Sequence, residues 1–183
     1  MTTKPAPIFD ARALDRTLRR MSDQILELNA GTDGLVLVGI QRRGVQLAER
    51  IVRIIEAQEH VTVPCGALDI TLYRDDLQTV GPRPVVGATH LPWTLDDQRV
   101  VIVDDVLYTG RTIRAALDEL ADFGRPARIA LAVLIDRGGR ELPIHADVVG
   151  RKVDVAADQR VDVFIDEIDG YDEVVIASRT REG

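Results

Sequence analysis

The sequence predicts an α/β fold with a mostly parallel central sheet and helices on both faces. Apolar runs rich in β-branched residues, such as residues 100–103 and 129–135, lack the alternation of a half-exposed strand. Such runs are typical of strands that are buried on both faces. The runs are followed by polar or glycine-containing loops, and open α/β sheets bind ligands where loops leave the carboxyl ends of their strands. These loops are therefore the first candidates for a functional site.

Length and composition narrow the class of protein. A chain of 183 residues fits one compact domain, and 45% hydrophobic with 29% charged residues is ordinary for a soluble globular protein. The net charge of −7 argues against broad, non-specific nucleic-acid binding but leaves room for a local basic face. The single cysteine, Cys65, allows no intrachain disulfide and no cysteine metal cluster.

The expected location is a reducing cytoplasm, without a membrane partner. No apolar run approaches the roughly 18 residues needed for a membrane span. The first ten residues also lack the basic start and apolar run of a secretory signal.

A long helix is predicted to begin at Asp10, a residue suited to capping a helix start, and to stop at Gly31. Its apolar stripe consists of Leu14, Leu18, Met21, Ile25 and Leu28. The opposite face carries four arginines, namely Arg12, Arg16, Arg19 and Arg20. On the sequence alone, a solvated helix face is the simpler interpretation of these charges.

A second buried strand covers residues 35–38 and runs into a glycine-bounded loop, residues 39–44, before another helix. Arg42 and Arg43 lie in this loop, so it is either an anion site or a solvated turn that happens to hold two arginines.

A further strand is predicted over residues 67–73, followed by a charged segment with glycines and prolines, residues 74–92. A long irregular segment inside a compact domain is usually functional, so we expect a lid that excludes water. Its cations Arg74 and Arg83 are candidates for binding phosphates, and the alternative is a surface excursion without a function.

The central stretch joins a buried strand to two carboxylates, Asp104 and Asp105, and then to a Thr-Gly-Arg-Thr turn before a helix that begins near Gly110. Unsatisfied N–H groups at a helix start, a glycine and the hydroxyls of Thr109 and Thr112 suit a phosphate. The two carboxylates can accept hydrogen bonds from vicinal ribose hydroxyls. Together these groups suit a ribose 5-phosphate, whereas an isolated Asp-Asp pair would more simply cap an ordinary turn.

The remaining segments add one long and several short strands. Residues 129–135 form a core strand that ends in Asp136-Arg137-Gly138, and short strands are predicted at residues 148–149, 161–165 and 174–176.

Residues 100–112, Val-Val-Ile-Val-Asp-Asp-Val-Leu-Tyr-Thr-Gly-Arg-Thr, resemble the phosphoribosyl pyrophosphate (PRPP) motif of type I phosphoribosyltransferases. The Val-Leu-Tyr centre is most similar to the branch that combines uracil phosphoribosyltransferase activity with attenuation of pyrimidine operons. Residues 39–40 with 43–44, 68–77, 124–126, and 136–138 with 140–144 also match in family order. The resemblance extends from about Asp10 to near the C-terminus.

The resemblance implies the type I phosphoribosyltransferase fold and the transfer of ribose 5-phosphate from PRPP to uracil, giving UMP and pyrophosphate. Mg²⁺ would arrive bound to PRPP, because the sequence shows no dedicated protein cage. The alternatives are a type I transferase for another base, such as a purine or orotate, and a UMP-gated RNA-binding regulator with little catalysis.

The resemblance also assigns roles to residues. Asp104, Asp105 and Arg74 would be catalytic. The 5-phosphate would be held by Tyr108, Thr109, Gly110, Arg111 and Thr112, and Val106 and Leu107 would also contact PRPP or UMP. Pyrophosphate would be held by Arg42 and Arg43, in a loop that often contains a non-proline cis peptide, and by Arg74 and Arg83 of the lid. The nucleotide would be contacted by Arg137 and the backbone near Val161.

A small hood that receives the base is expected from residues 10–29 and 138–161. The resemblance further implies partners, namely UMP, UTP, a pyrimidine operon leader mRNA and other copies of the chain in a dimer or tetramer. RNA would bind Arg16, Arg19, Arg20, Arg140 and Arg151. The sequence departs from the family at Asp23, Gly139 and His145, which predicts weaker RNA binding or a different leader.

Overall fold

The computed structural model describes residues 7–70 and 89–179 and confirms the α/β fold. The helices are α1 (Ala11–Asn29), α2 (Arg43–Glu59), α3 (Arg111–Leu120) and α4 (Asp166–Asp169). The strands are β1 (Leu35–Ile40), β2 (Cys65–Leu68), β3 (Arg99–Leu107), β4 (Arg128–Asp136), β5 (Val148–Lys152), β6 (Gln159–Phe164) and β7 (Glu173–Ser178). Within the described ranges, five parallel strands form one sheet in the order β2-β1-β3-β4-β5, and β6 pairs with β7 in an antiparallel sheet.

The five-stranded sheet is covered on both faces, as the apolar runs predict. Alternate residues of a strand point to opposite faces. In β1, Leu35 and Leu37 join a core with α1 and α2, whereas Val36 and Val38 join a second core with α3. All six residues of β1 are buried, which explains why the run carries no polar alternation.

Helix α1 begins as predicted and ends one residue earlier than predicted. An Asp10 side-chain oxygen accepts a hydrogen bond from the Ala13 N–H at 2.7 Å, which confirms the cap. The left-handed position at the end is taken by Ala30, with φ of 55°, rather than by Gly31. The N–H groups of Ala30 and Gly31 donate to Glu27 and Leu26, so the last carbonyls of the helix are satisfied.

Two strand boundaries differ from the prediction. Strand β2 covers Cys65–Leu68 rather than residues 67–73, and residues 71–73 lie outside the described residues. Strand β3 continues through both aspartates to Leu107, because its ladder with β4 extends as far as the pair Leu107 and Asp136. The two carboxylates therefore lie within the strand and not in the loop after it.

The elements expected to form the hood are distributed over both sheets. Helix α1 packs against α2 and the central sheet, and β5 is the fifth strand of that sheet. The smaller sheet consists of β6 and β7, and Phe9 is bridged to Val174 at its edge. Of the expected lid, residues 74–88 lie outside the described residues.

Salt bridges connect helix α2 to the segment between β6 and β7. Arg50 donates to both Glu167 and Asp172, with an Nη1–Oδ2 distance of 2.8 Å to Asp172. Arg43 donates to Asp169, with an Nη2–Oδ1 distance of 2.9 Å. The Arg50 and Asp172 side chains are only 18% and 16% exposed, so this pairing is more protected from solvent than an ordinary surface salt bridge.

Replacing Arg50 by Met should lower the free energy of unfolding at pH 7 by about 1–3 kcal/mol, because hydrogen bonds to two charged groups are lost. The Arg50 hydrogen bond lowers the pKa of Glu167, and Arg50 also lowers the pKa of Asp172 although burial opposes that shift. Both groups bind fewer protons when folded, so their stabilisation is complete above the ordinary values of 4.5 and 3.8 and is lost as the pH falls through the lowered values.

Urea unfolding of the wild type and Arg50→Met, repeated between pH 7 and pH 3, measures this effect. The stability difference should shrink towards low pH. Arg53→Met is the matched control, since Arg53 is 67% exposed and its nearest carboxylate partner, Glu49, is 3.6 Å away. A difference that stays constant with pH would show that these ion pairs do not hold the segment.

No helix among the described residues is long and apolar enough to cross a membrane. Burial raises the pKa of the Cys65 thiol to about 12, with further contributions from the charges of Glu49 and Glu56. At neutral pH this cysteine is therefore a protonated packing residue without thiolate reactivity.

Candidate active site

The carboxyl ends of β1 and β3 bring the two predicted anion loops together. Gly39 of β1 pairs with Val103 of β3. Gly44, in the first turn of α2, lies directly against β3, because a Cβ atom added there would be 2.6 Å from the Val103 carbonyl oxygen and 3.3 Å from Asp104 Cα. Only glycine allows this approach. The loop at residues 41–44 and the stretch from Asp104 to Thr112 consequently line one site.

The two aspartates are oriented by the backbone that follows them. Asp104 is buried, with 6% exposure, and its Oδ1 accepts a hydrogen bond from the Asp105 N–H at 2.9 Å. Asp105 is partly exposed, and its Oδ1 accepts from the Val106 N–H at 2.8 Å. Among the described residues, no hydrogen bond is made to the second oxygen of Asp105. This arrangement presents a fixed carboxylate to a ligand at the end of β3.

The Thr-Gly-Arg-Thr turn has the geometry expected of an anion site. Gly110 adopts a left-handed conformation with φ of 93°. Helix α3 begins at Arg111, and no described side chain caps it. The Thr109 hydroxyl accepts a weak hydrogen bond from the Arg111 N–H at 3.3 Å. No described side chain caps the N–H groups of Thr112 and Ile113, in the first turn of α3, so they can donate to a phosphate, whose binding the helix dipole favours.

Arg140 supports this turn from behind and does not extend into solvent. Its guanidinium donates to the carbonyl oxygens of Tyr108 and Ile144, both at 2.8 Å, and pairs with the Asp136 carboxylate at 2.8 Å. Burial would raise the pKa of Asp136, but Arg140, the Gly138 N–H and Lys152 lower it overall. Arg140 was predicted to bind RNA, and that role stays a prediction; among the described residues its guanidinium contacts the residue before the phosphate turn (residues 109–112) and the segment that follows β4.

Replacing Arg140 by Met should raise the KM for PRPP about 10- to 100-fold, because two carbonyls and a carboxylate lose a charged donor and the turn shifts. Steady-state kinetics with varied PRPP would measure it. Arg128→Met is the control, since Arg128 is exposed and, within the described ranges, its one side-chain hydrogen bond is a 3.4 Å contact to the Leu28 carbonyl. An unchanged KM in a folded variant would contradict this role.

In the loop before α2, the predicted cis peptide is present, and the two predicted arginines have different surroundings. The peptide bond between Gln41 and Arg42 is cis, as the resemblance implies. The Arg42 side chain is exposed at the start of the helix, but the Arg43 guanidinium is paired with Asp169. Burial would raise the pKa of Asp169, and the contact with Arg43 lowers it overall. Of these two arginines, Arg42 is thus the one free to meet an incoming anion. The other predicted cations, Arg74 and Arg83, lie outside the described residues.

Of the residues predicted to contact the nucleotide, Arg137 lies beside Tyr108, the residue before the phosphate turn. Arg137 is buried, with 6% exposure, and its guanidinium carbon is 3.8 Å from the centroid of the Tyr108 ring. Val161 lies on β6, which contacts β3. A third residue, Arg179, was missed by sequence analysis, and its guanidinium carbon is 5.5 Å from the same ring. No motif marks it, because only the return of β7 towards the phosphate turn brings it there.

Most residues predicted to bind RNA are engaged within the chain. Arg20 donates to the carbonyl oxygens of Val149 and Gly150, which ties α1 to β5. Arg151 donates to the Ile8 carbonyl at 2.9 Å and lies over the Phe9 ring.

The other predicted RNA-binding arginines of α1 are exposed, and the three residues that depart from the resembled family have different surroundings. Arg19 is exposed and pairs with Asp15 at 2.9 Å, and Arg16 is exposed. Asp23 accepts a hydrogen bond from Gln58 at 3.0 Å. His145 is exposed, and Gly139 lies under the Tyr108 ring, where a Cβ would be 2.5 Å from Tyr108 Cε2.

Within residues 7–70 and 89–179, no group of three or more histidine, cysteine or acidic side chains is arranged to hold a metal ion. The adjacent carboxylates of Asp104 and Asp105 are nevertheless the hard oxygen ligands that Mg²⁺ accepts, directly or through water. The site thus fits a metal that arrives with a phosphorylated ligand.

The site combines a carboxylate pair near the end of a strand with an uncapped helix start and a facing glycine-containing loop. These features are expected of a protein that binds a phosphorylated ribose. The family profile of the phosphoribosyl transferase domain matches residues 7–167, and the chain belongs to that family. Purine phosphoribosyltransferase from Pyrococcus horikoshii is similar in structure, with a TM-score of 0.61 and 25% identity over 79% of this chain and 85% of that one. Hypoxanthine phosphoribosyltransferase of Trypanosoma cruzi shares the fold, with a TM-score of 0.72 and 19% identity over 96% and 93% of the two chains.

Sequence relatives narrow the assignment further. The bifunctional protein PyrR of Roseiflexus sp. (strain RS-1) is 57% identical over 173 residues, which cover 94% of each chain. The PyrR of Thermus thermophilus is 53% identical over 174 residues, covering 95% of this chain and 96% of its own. Within the phosphoribosyltransferases, the chain is a member of the bifunctional PyrR family.

Proposed function

We propose that the protein is a uracil phosphoribosyltransferase that converts uracil and PRPP to UMP and pyrophosphate. The observation that carries this proposal is the meeting of Asp104 and Asp105 with the start of α3 and the loop before Gly44. These groups are arranged for a ribose, its 5-phosphate and a second anion in one site. Uracil as the base rests on the Val-Leu-Tyr centre of the motif and on membership of the PyrR family.

In the proposed reaction, the bond from ribose C1 to the pyrophosphate oxygen breaks early, and the bond from C1 to uracil N1 forms as the N1 proton leaves. C1 becomes cation-like while negative charge grows on pyrophosphate. The carboxylates of Asp104 and Asp105 hold the ribose hydroxyls and stabilise the cation. The N–H groups of the phosphate turn hold the 5-phosphate, so catalysis depends mainly on positioning and charge placement.

The pyrophosphate end is proposed to bind Arg42 and the backbone at the start of α2, together with Arg74 and Arg83. Mg²⁺ arriving with PRPP would further neutralise the pyrophosphate charge. Arg43 contributes through its backbone N–H, because its guanidinium is paired with Asp169. In this proposal the exposed Arg42 side chain binds the ligand, whereas the Arg43 side chain stabilises the fold through Asp169.

Product analysis tests the proposal. The purified protein, PRPP, uracil and Mg²⁺ should yield equimolar UMP and pyrophosphate, measured by chromatography and by a coupled phosphate assay. Removing Mg²⁺ with a chelator should abolish both products. If UMP does not form although PRPP is bound, the protein is not a uracil transferase.

A second function is the nucleotide-gated binding of a pyrimidine operon leader mRNA, in the cytoplasm and by a homo-oligomer. The name of the relatives, bifunctional protein PyrR, favours two activities. The outer face of α1 supplies basic groups, with exposed Arg16 and Arg19. The internal engagement of Arg20, Arg140 and Arg151 leaves fewer guanidinium groups for phosphate than the sequence suggests.

We expect the affinity for a family-type RNA hairpin to be weak and only mildly dependent on salt. Each phosphate contact contributes a log–log slope of roughly 0.7 for single strands, so few available arginines give a shallow slope. Filter binding across a salt series, with and without UMP, measures this affinity and its salt dependence. Arg16→Gln should lower the slope by roughly 0.7, the contribution of one phosphate contact. Tight, UMP-stimulated binding with a steep slope would show that the engaged arginines are released to RNA.

A further inference from the structure

Two arginines approach one tyrosine ring at the edge of the proposed site. The guanidinium carbons of Arg137 and Arg179 are 3.8 Å and 5.5 Å from the centroid of the Tyr108 ring. They come from distant parts of the chain, since Arg137 follows β4 and Arg179 follows β7. Tyr108 is the residue immediately before the phosphate turn. The pair therefore lies at the edge of the proposed site, next to the turn that would hold the 5-phosphate of the ribose.

The ring itself is fixed in place. Its Cε2 and Cδ2 atoms would be 2.5 Å and 3.0 Å from a Cβ added at Gly139, so the ring packs on the bare backbone of the loop after β4. The carbonyl of Tyr108 is held by Arg140 at 2.8 Å. A rigid aromatic face can bind a cation favourably, which accounts for part of the arrangement.

The ring does not satisfy the two cations completely. Arg137 is 6% exposed, and its buried Nε has no hydrogen-bond partner among the described residues. Burial and the neighbouring charge of Arg179 both lower the pKa of Arg137. Guanidinium groups stay charged at neutral pH, so the two repel each other, and a buried donor remains unpaired. Such an arrangement is typical of a site whose ligand supplies the missing acceptors.

We propose that Arg179, together with Arg137, forms a guanidinium pair that binds the carbonyl oxygens of the pyrimidine base and selects dioxopyrimidines. This inference rests on the proposed uracil transferase activity. It assigns to the site a residue that no motif marks, and it makes the end of β7 a wall of the base site.

The chemistry of the pair explains the selection. A guanidinium only donates hydrogen bonds. Uracil presents two carbonyl acceptors, whereas cytosine replaces one of them with an amino donor that would face another donor. As N1 loses its proton, negative charge spreads onto the carbonyl oxygens of uracil. The contact therefore strengthens towards the transition state and favours turnover as well as binding.

Arg179→Met tests the inference, with Arg179→Lys beside it to keep the charge without the planar fork. Arg179 is exposed, so its replacement leaves the core intact. In the Met variant, kcat/KM for uracil should fall roughly tenfold or more, the size of a lost hydrogen bond to a charged group. The KM for PRPP should stay within about twofold of the wild type, since the contact is to the base and not to the phosphates. The preference for uracil over cytosine, measured by competitive inhibition, should fall in parallel, and Lys should restore part of both.

Arg53→Met serves as the matched control, because Arg53 is an exposed arginine of α2 that is 3.6 Å from the Glu49 carboxylate. Unchanged uracil kinetics in folded Arg179→Met would overturn the inference. So would an equal loss for PRPP and uracil, which would mean that Arg179 only supports Tyr108 and the phosphate turn. A wild type that makes no UMP would instead refute the proposed function itself, so the two failures are distinguishable.

Discussion

Replacing Asp105 by Asn should lower kcat/KM for PRPP by about 10²-fold or more while the protein remains folded. The amide keeps the size of the side chain and can still accept the Val106 N–H at Oδ1. It removes the negative charge beside ribose C1, where positive charge develops as pyrophosphate leaves. Preorganised groups of this kind contribute most in the transition state, so the loss should appear in kcat more than in PRPP affinity.

Initial rates with varied PRPP, together with thermal unfolding, measure this effect. Asp118→Asn is the matched control, since it removes an exposed carboxylate of α3 by the same chemistry. If Asp105→Asn turned over like the wild type, the carboxylate pair would not be part of the reacting centre.

Gly44→Ala should reduce kcat/KM by about 10²-fold through displacement alone. The added methyl group would lie 2.6 Å from the Val103 carbonyl oxygen and 3.3 Å from Asp104 Cα. Both are backbone atoms of a central strand, so the loop before α2 has to move away instead. A movement of about 1 Å separates the pyrophosphate loop from the carboxylates, and stability should fall by about 1–3 kcal/mol from overpacking.

Gln46→Ala is the control for this experiment, because it changes a nearby residue of α2 without adding volume. Kinetics and urea unfolding of both variants separate the loss of activity from the loss of stability. A Gly44→Ala protein with normal kcat/KM would mean that the approach of α2 to β3 is not needed for the reaction.

The fold was largely predictable because its main signals are local. The apolar runs at residues 100–103 and 129–135 lie in β3 and β4, and the stripe from Leu14 to Ile25 is buried as expected. The end of β3 was less predictable. Asp104 and Asp105 are polar, but the ladder with β4 keeps them in the strand, and such pairing depends on a partner far along the chain.

The roles of individual arginines were the least predictable part of the site. Arg43 was predicted to bind pyrophosphate, but it pairs with Asp169, which is 126 residues away in sequence. Arg140 and Arg20 were predicted to bind RNA, and both donate to backbone carbonyls within the fold. A guanidinium reaches partners that only the tertiary structure brings near, so its charge in the sequence shows neither its partner nor its function.

The close contacts at two glycines were also not predictable from the sequence. In the sequence, Gly44 ends a candidate anion loop and Gly139 departs from the resembled family, but neither observation indicates what the missing side chain makes room for. In the structure, each is a site of close approach, Gly44 to β3 and Gly139 to the Tyr108 ring. A glycine indicates a close approach only when the structure shows which atom occupies the space of the missing side chain.

The central claim is that this site transfers a phosphoribosyl group to uracil. The most direct measurement is PRPP-dependent nucleotide formation from an equimolar mixture of uracil, orotate, hypoxanthine and adenine, with the products separated by chromatography. UMP should be the dominant product, and its formation should require PRPP. Preferential formation of the nucleotide of orotate, hypoxanthine or adenine, or no nucleotide from any base, would contradict it.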